Sequence, residues 1–265
     1  MDWLSAIILG IIQGLSEFLP VSSSGHLELG RSLLGIEVSG SSGMLFTVTV
    51  HAATALATVV VFYKEIVSIV QGLFQGREED RRFAGAIIVS MLPAAFVGLL
   101  FEDAIEGLFE GSTLLVGAML VITGLLLLMA DRAKKTHKKV SVSDAFAVGI
   151  AQAIAILPGI SRSGATISTS VLLGIDREHA ARFSFLMVVP LIMGKMILDM
   201  ADLATNPEAA QEPLLPLVLG FAAAFVTGLW ACRTMIQLVK RAKLRYFAYY
   251  CFAVGTVASL WTVLA

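Results

Sequence analysis

Apolar residues fill long unbroken stretches of this chain, and polar residues gather between those stretches rather than alternating within them. A membrane-spanning helix needs about 20 mostly apolar residues. Six segments meet that requirement: 44–63, 83–101, 111–130, 183–203, 213–232 and 246–265. Two further apolar regions are interrupted in the middle. Residues 3–34 break at Pro20-Val21-Ser22-Ser23-Ser24-Gly25-His26, and residues 145–175 break at Pro158-Gly159-Ile160-Ser161-Arg162-Ser163-Gly164. Proline and glycine end a helix and serine caps the next one. Each half is too short to cross comfortably, so both regions read as helix–loop–helix hairpins that enter the membrane and turn back. Irregular backbone at that depth is tolerated only where protein or a wet cavity surrounds it.

Composition agrees with the pattern. Of 265 residues, 57% are hydrophobic and 15% charged, and the mean hydropathy is +0.85. Soluble domains average about 45–50% apolar and 25% charged residues. A soluble enzyme and a disordered chain are both excluded on that comparison. The formal net charge of −1 provides no field to recruit a polyanion, so nucleic acid is not an expected partner. Cys232 and Cys251 lie in apolar runs and have no metal-ligand spacing.

Charge placement gives the orientation. Sixteen of the 19 basic residues fall within 64–82, 132–139, 177–182 and 233–245. Residues 102–110 and 199–212 each carry four acids, with no base in either. The excess of Lys and Arg marks the cytoplasmic side, which places the two acidic stretches outside. Counting crossings then puts the first hairpin on the outer face and the second on the inner face.

The two halves also match in sequence. Gly10-Ile11-x-Gln13 pairs with Gly149-Ile150-x-Gln152, Ser22-x-Ser24-Gly25 with Ser161-x-Ser163-Gly164, and Leu33-Leu34-Gly35-Ile36 with Leu172-Leu173-Gly174-Ile175, every pair 139 positions apart. Ala94-Ala95-Phe96-Val97 matches Ala223-Ala224-Phe225-Val226 at an offset of 129. The expected architecture is an all-α polytopic membrane protein with one membrane domain, 1–265, built from repeats 1–131 and 140–265. Each repeat is a re-entrant hairpin followed by three transmembrane helices. Three is odd, so the second copy is inverted, and both hairpin tips should face one polar cavity near the midplane.

Ionisable groups at membrane depth are costly and need a reason. Gln13 and Glu17, spaced i, i+4, share a helix face leading to the serine-rich turn and His26. Arg162 stands alone among Gly, Ser and Pro. Helix starts favour anions, Ser161 and Ser163 add hydroxyl donors, and the Arg fork suits phosphate. A structural pairing of Arg162 with Glu17 is compatible with that reading. A carboxylate to hold a metal or act as base, a histidine to carry a proton, a serine to attack phosphorus and an arginine to stabilise charge form a phosphoryl-transfer set. His26, three residues after Ser23, is placed to lie beside it if the helix starts near Ser24. Among the rest, His51 reads as a core histidine, and Lys195 snorkels toward the outer surface. Glu28 and Arg31 are spaced i, i+3, which allows them to pair near the outer interface.

The stretch Gln13 to His26 resembles the (E/Q)xxxE–PxSSxGH region of a known family, and Pro158 to Thr166 resembles its PGxSRSGxT motif. That family is the bacterial undecaprenyl-diphosphate phosphatases, also called bacitracin-resistance proteins, and the resemblance covers nearly the whole chain. It implies a multi-pass enzyme of the bacterial inner membrane, with its active site facing the periplasm. Its substrate would be an isoprenoid diphosphate lipid, which loses its terminal phosphate to regenerate undecaprenyl phosphate for cell-wall synthesis. Glu17, Ser23, His26 and Arg162 fall on the family's functional positions. Ser22, Ser24, Gly25, Ser161, Ser163, Gly164 and Thr166 form the expected phosphate-binding set. The resemblance also implies a divalent cation, Mg2+ or Ca2+, expected at Gln13 and Glu17; position 13 carries the uncharged option of the motif. The expected partners are the lipid substrate and membrane lipid, and the sequence allows a homodimer. Inverted repeats with paired hairpins also suit alternating access, so a transporter or flippase of a phosphorylated lipid or small anion is the rival reading.

Overall fold

Eleven helices carry the described residues. They are α1 (Trp3–Phe18), α2 (Ser23–Leu34), α3 (Ser41–Val61), α4 (Tyr63–Phe74), α5 (Glu78–Leu100), α6 (Thr113–Asp131), α7 (Val142–Ile154), α8 (Arg162–Leu172), α9 (Arg177–Thr205), α10 (Leu214–Lys240) and α11 (Leu244–Leu264). The computed structural model describes residues 1–36, 41–101, 107, 113–134, 136–205, 213–241 and 243–264. Most of the acidic segments expected outside the membrane, and the Lys195 side chain, lie outside the described residues.

Five helices are long and apolar enough to cross a membrane, and α3 with α4 forms a sixth candidate bent by 72°. These match the six expected spans with shifted ends. α9 begins at Arg177 and α10 runs on to Lys240, because a helix continues past the hydrocarbon wherever its charged end residues reach water. One expectation needs correction. Residues 64–82 read as a basic loop, yet Tyr63–Phe74 is helical. Only Lys64 and Glu65 are charged in that stretch, and Ile66, Ile69, Val70 and Leu73 recur at helical spacing. Tyr63, Val70 and Phe74 of α4 remain exposed.

Neither broken region yields a spanning helix. α1 and α2 have 16 and 12 residues, and α7 and α8 have 13 and 11. α2 folds back on α1, and a Cβ on Gly30 would lie 3.0 Å from Ile12 and 3.1 Å from Leu9. The matched serines do matching work at the two tips. Ser22 caps α2 by accepting from Gly25 N at 3.3 Å, and Ser161 caps α8 by accepting from Gly164 N at 3.0 Å. Each cap oxygen lies 3.3 Å from the second serine of its motif, Ser24 or Ser163. The matched glycines also make matched contacts: a Cβ on Gly10 would lie 2.4 Å from the Gly220 carbonyl oxygen of α10, and one on Gly149 would lie 2.5 Å from the Ser90 carbonyl oxygen of α5.

The four basic segments meet through ion pairs and caps. Lys139 pairs with Glu79 at 2.7 Å and Lys240 with Glu178 at 2.5 Å, and Arg182 pairs with Glu65. Arg177 donates to the Ala130, Asp131 and Ala133 carbonyls that end α6. Arg245 N donates to Asp131. Asp176 accepts from Glu178 N and His179 N at the start of α9. Burial pushes its carboxyl up, but these donors outweigh burial and hold it below its ordinary value. The starts of α5, α9 and α11 thus share one end of the bundle with the ends of α6 and α10, so α6 and α10 run antiparallel to the other three.

Candidate active site

The two hairpin tips touch. A Cβ on Gly25 would lie 3.2 Å from Gly159 Cα, and Ser163 Oγ donates to the Leu19 carbonyl at 3.3 Å. Gly159 makes this approach possible. It sits at φ 93, a region side-chain-bearing residues avoid, and a Cβ there would lie 2.6 Å from the Val116 carbonyl oxygen. With the tips in contact, α2 starts at Ser23 and α8 at Arg162. Two positive helix ends therefore open near one point, an arrangement that favours an anion.

The Glu17 carboxylate occupies that point, near the end of α1. It is 6% exposed, so its partners decide whether it is tolerated there. Arg162 bonds Oε1. Ser23 Oγ donates to Oε2 at 2.6 Å and Gln13 Nε2 to the same oxygen at 3.0 Å. His51 Nε2 stands 4.0 Å from Oε2, its Nδ1 donating to the Thr47 carbonyl at 2.8 Å. A cavity opens beside this cluster between α3 and α9. Glu17, Thr54, Thr58, Arg162, Ser163 and Ser184 are its polar lining, and Phe18, Phe185, Val188 and Ile192 its apolar wall.

The structure therefore brings Gln13, Glu17, Ser23, Arg162 and Ser163 together as the sequence suggested. His26 is placed differently. Its Nδ1 meets the Ser22 carbonyl at 2.8 Å and its Nε2 meets the Tyr250 hydroxyl at 2.8 Å, so neither ring nitrogen bonds Ser23. The helix starts at Ser23, and the ring folds back onto the preceding turn. Thr166 sits one turn below Arg162, donating to the Arg162 carbonyl at 2.8 Å and bonding Ser184 Oγ at 2.6 Å. Ser22, Ser24, Gly25, Ser161 and Gly164 build the two caps already described. Arg31 donates to Thr47 Oγ1 at 2.6 Å.

The donor set bears on a cation. Among the described residues, no three His, Cys, Asp or Glu side chains form a metal cage. Gln13 Oε1 is buried and unbonded beside Glu17, leaving one amide oxygen and one carboxylate as hard donors. Mg2+ commonly takes one or two carboxylates plus substrate phosphates and water. The residues fit that mode and do not fit a protein-only cage.

Known proteins place the chain. The family profile for Bacitracin resistance protein BacA matches residues 6–257. The chain belongs to that family. Relatives named Undecaprenyl-diphosphatase cover almost its whole length. The protein from Christiangramia forsetii is 57% identical over 98% of both chains, one from Bacteroides fragilis 48% identical over 97% of both, and one from Methanosphaera stadtmanae 39% identical over 99% of both.

In this bacitracin-resistance family member, the sequence reading missed the contributions of α3, α9 and α11. His51, Thr54, Thr58, Ser184 and Tyr250 are single polar residues within apolar runs. His51, Thr54 and Thr58 share one face of α3 at i, i+3, i+7 spacing, but nothing in the sequence joins that face to Ser184 on α9 or Tyr250 on α11. His51 offered the one available signal, as an ionisable group at membrane depth.

Proposed function

We propose that this membrane enzyme hydrolyses the terminal phosphate of undecaprenyl diphosphate to give undecaprenyl phosphate and inorganic phosphate, recycling the carrier lipid for cell-wall synthesis. The family and its named relatives support the substrate. The observation that carries the chemistry is the 2.6 Å bond from Ser23 Oγ to Glu17 Oε2, with Arg162 on the other carboxylate oxygen. A serine hydroxyl needs an adjacent base to become a nucleophile, and Glu17 is the base in contact.

In this mechanism the terminal phosphate enters between the hairpin tips and draws the Arg162 guanidinium onto its equatorial oxygens. Glu17 loses a counter-ion as Arg162 turns, which strengthens it as a base at the moment substrate binds. Ser23 Oγ bonds to phosphorus and passes its proton to Glu17. The bridging P–O bond breaks, and Glu17 returns that proton to the departing lipid monophosphate. Water then attacks the phosphoserine, giving one proton through Glu17 to Ser23 Oγ as the second P–O bond breaks. A divalent cation, if held by Gln13 and Glu17, would neutralise charge on the substrate.

The membrane setting follows the basic clusters. The chain sits in the bacterial inner membrane as one domain of two inverted repeats, 1–131 and 140–265, with the diphosphate site reached from the periplasmic side. Matched caps and matched glycine contacts in the two halves support the repeat. Phosphate release from isoprenoid diphosphate by detergent-purified protein tests the reading, because no membrane is left to cross. Stoichiometric phosphate and lipid monophosphate support it. Absence of release, with lipid transfer by the same protein in vesicles, favours the flippase instead.

A further inference from the structure

We propose that Tyr250 is a positioning residue: its hydroxyl, acting through the His26 ring, holds the turn at Ser22 that aims Ser23. The catalytic consequence rests on the phosphatase reading above, while the contact itself does not.

Ser22 has φ 71 and ψ 99 and is the single non-glycine residue with positive φ among the described residues. A residue held in a sparsely populated conformation persists only where its surroundings enforce it. The Ser22 carbonyl accepts from the His26 backbone N–H at 3.1 Å and meets His26 Nδ1 at 2.8 Å. A carbonyl can only accept, so Nδ1 carries the proton. The neutral ring then offers a lone pair at Nε2, and the Tyr250 hydroxyl, 2.8 Å away, donates to it. The two rings stack with centroids 5.6 Å apart and planes 15° apart, which fixes the imidazole about its remaining free torsion.

Tyr250 reaches this turn from α11, 224 residues further along the chain. Its neighbour Cys251 lies 3.7 Å from the Pro20 carbonyl, so α11 braces the turn at both ends. Tyr250 is 44% exposed, on a spanning helix. Neither ring nitrogen of His26 bonds Ser23, so any influence of this pair on the nucleophile passes through the Ser22 backbone.

The test uses Tyr250→Phe, which keeps the ring and removes the hydroxyl, in the full-length detergent-purified chain with 15N-labelled histidine. The His26 signals are assigned by their loss in His26→Ala. We expect Nδ1 protonated in the wild type, and the Nε2 resonance displaced in Tyr250→Phe while Nδ1 stays protonated. We also expect kcat to fall about fivefold with KM within about twofold, the size of one lost hydrogen bond. Adding Tyr250→Phe to His26→Ala should change kcat by less than about twofold, since the mediator is already gone. An unmoved Nε2 resonance overturns the contact. A wild-type kcat, or an equal loss in both backgrounds, overturns the positioning role. If even the wild type releases no phosphate, the phosphatase reading fails, and the resonance arm still decides the contact.

Discussion

Arg162 and Glu17 lie 145 residues apart in sequence, one on each hairpin, and share an ion pair where the tips meet. The pair joins the two tips, and in the proposed mechanism its guanidinium is the group that the phosphate draws away. Arg162→Lys keeps the charge and loses the planar fork. We expect a fall in kcat/KM of at least about tenfold, or roughly 1.4 kcal/mol, with thermal stability close to wild type. Full activity in the Lys variant would reduce Arg162 to a counter-ion.

Ser23 and Glu17 separate two chemistries. If Ser23 is the nucleophile, Ser23→Ala abolishes turnover while diphosphate still binds, and rapid quenching of the wild type traps phosphoserine. If water attacks directly, Ser23→Ala loses only a hydrogen bond to a charged group, about 1.5–3 kcal/mol or roughly 10- to 150-fold. The 2.6 Å contact with Glu17 favours the first outcome. More than a few per cent of wild-type rate in Ser23→Ala would refute it.

The spans and the broken regions were legible because a long apolar run has few other fates. Serines and glycines at hairpin tips also announce their own caps. The pairing of Glu17 with Arg162 was legible because each was an ionisable group without a local partner. Contacts set by helix crossing were hidden. Nothing near Tyr250 in sequence says it meets His26, and the i, i+3 spacing from Ser23 to His26 pointed to a contact the structure does not make. The imidazole instead turns back to the Ser22 carbonyl at the start of α2. The bend before α4 was hidden too, since neither proline nor glycine marks Phe62: Val59-Val60-Val61 precede it and Tyr63-Lys64-Glu65 follow.

His51 gives a prediction that the sequence did not offer. Its Nε2 stands 4.0 Å from the Glu17 carboxylate; because Nδ1–H is given to the Thr47 carbonyl, the ring steadies that carboxylate only as the imidazolium, while Arg162 turns to the substrate. His51→Phe fills similar volume without a ring nitrogen. We expect kcat to fall about tenfold, within the usual range for one positioned polar group. Wild-type kinetics in His51→Phe would return His51 to a packing role.

Membrane orientation is open to labelling in intact cells. Single cysteines at Thr113 and Leu214, where α6 and α10 start, should react with an impermeant thiol reagent. Cysteines at Ser141 and Arg241, beside the basic segments, should react only after the membrane is opened. Native Cys232 and Cys251 are buried and should stay silent. Equal labelling of positions 113 and 141 in sealed cells would refute the assigned sidedness.

Close helix contact between the halves rests on glycine. A Cβ at Gly10 would lie 2.4 Å from the backbone oxygen of Gly220, and backbone on a packed helix cannot yield cheaply. Gly98 on α5 has no atom within 4 Å of the same construction. Gly10→Ala should therefore cost about 1–3 kcal/mol of overpacking, seen as a lower melting temperature in detergent and as reduced activity, since α1 also carries Glu17. Gly98→Ala should leave both unchanged or raise the melting temperature, because alanine is the better helix former by about 1 kcal/mol. Matching melting temperatures for the two variants would mean that the contact between α1 and α10 is looser than the Gly10–Gly220 approach requires.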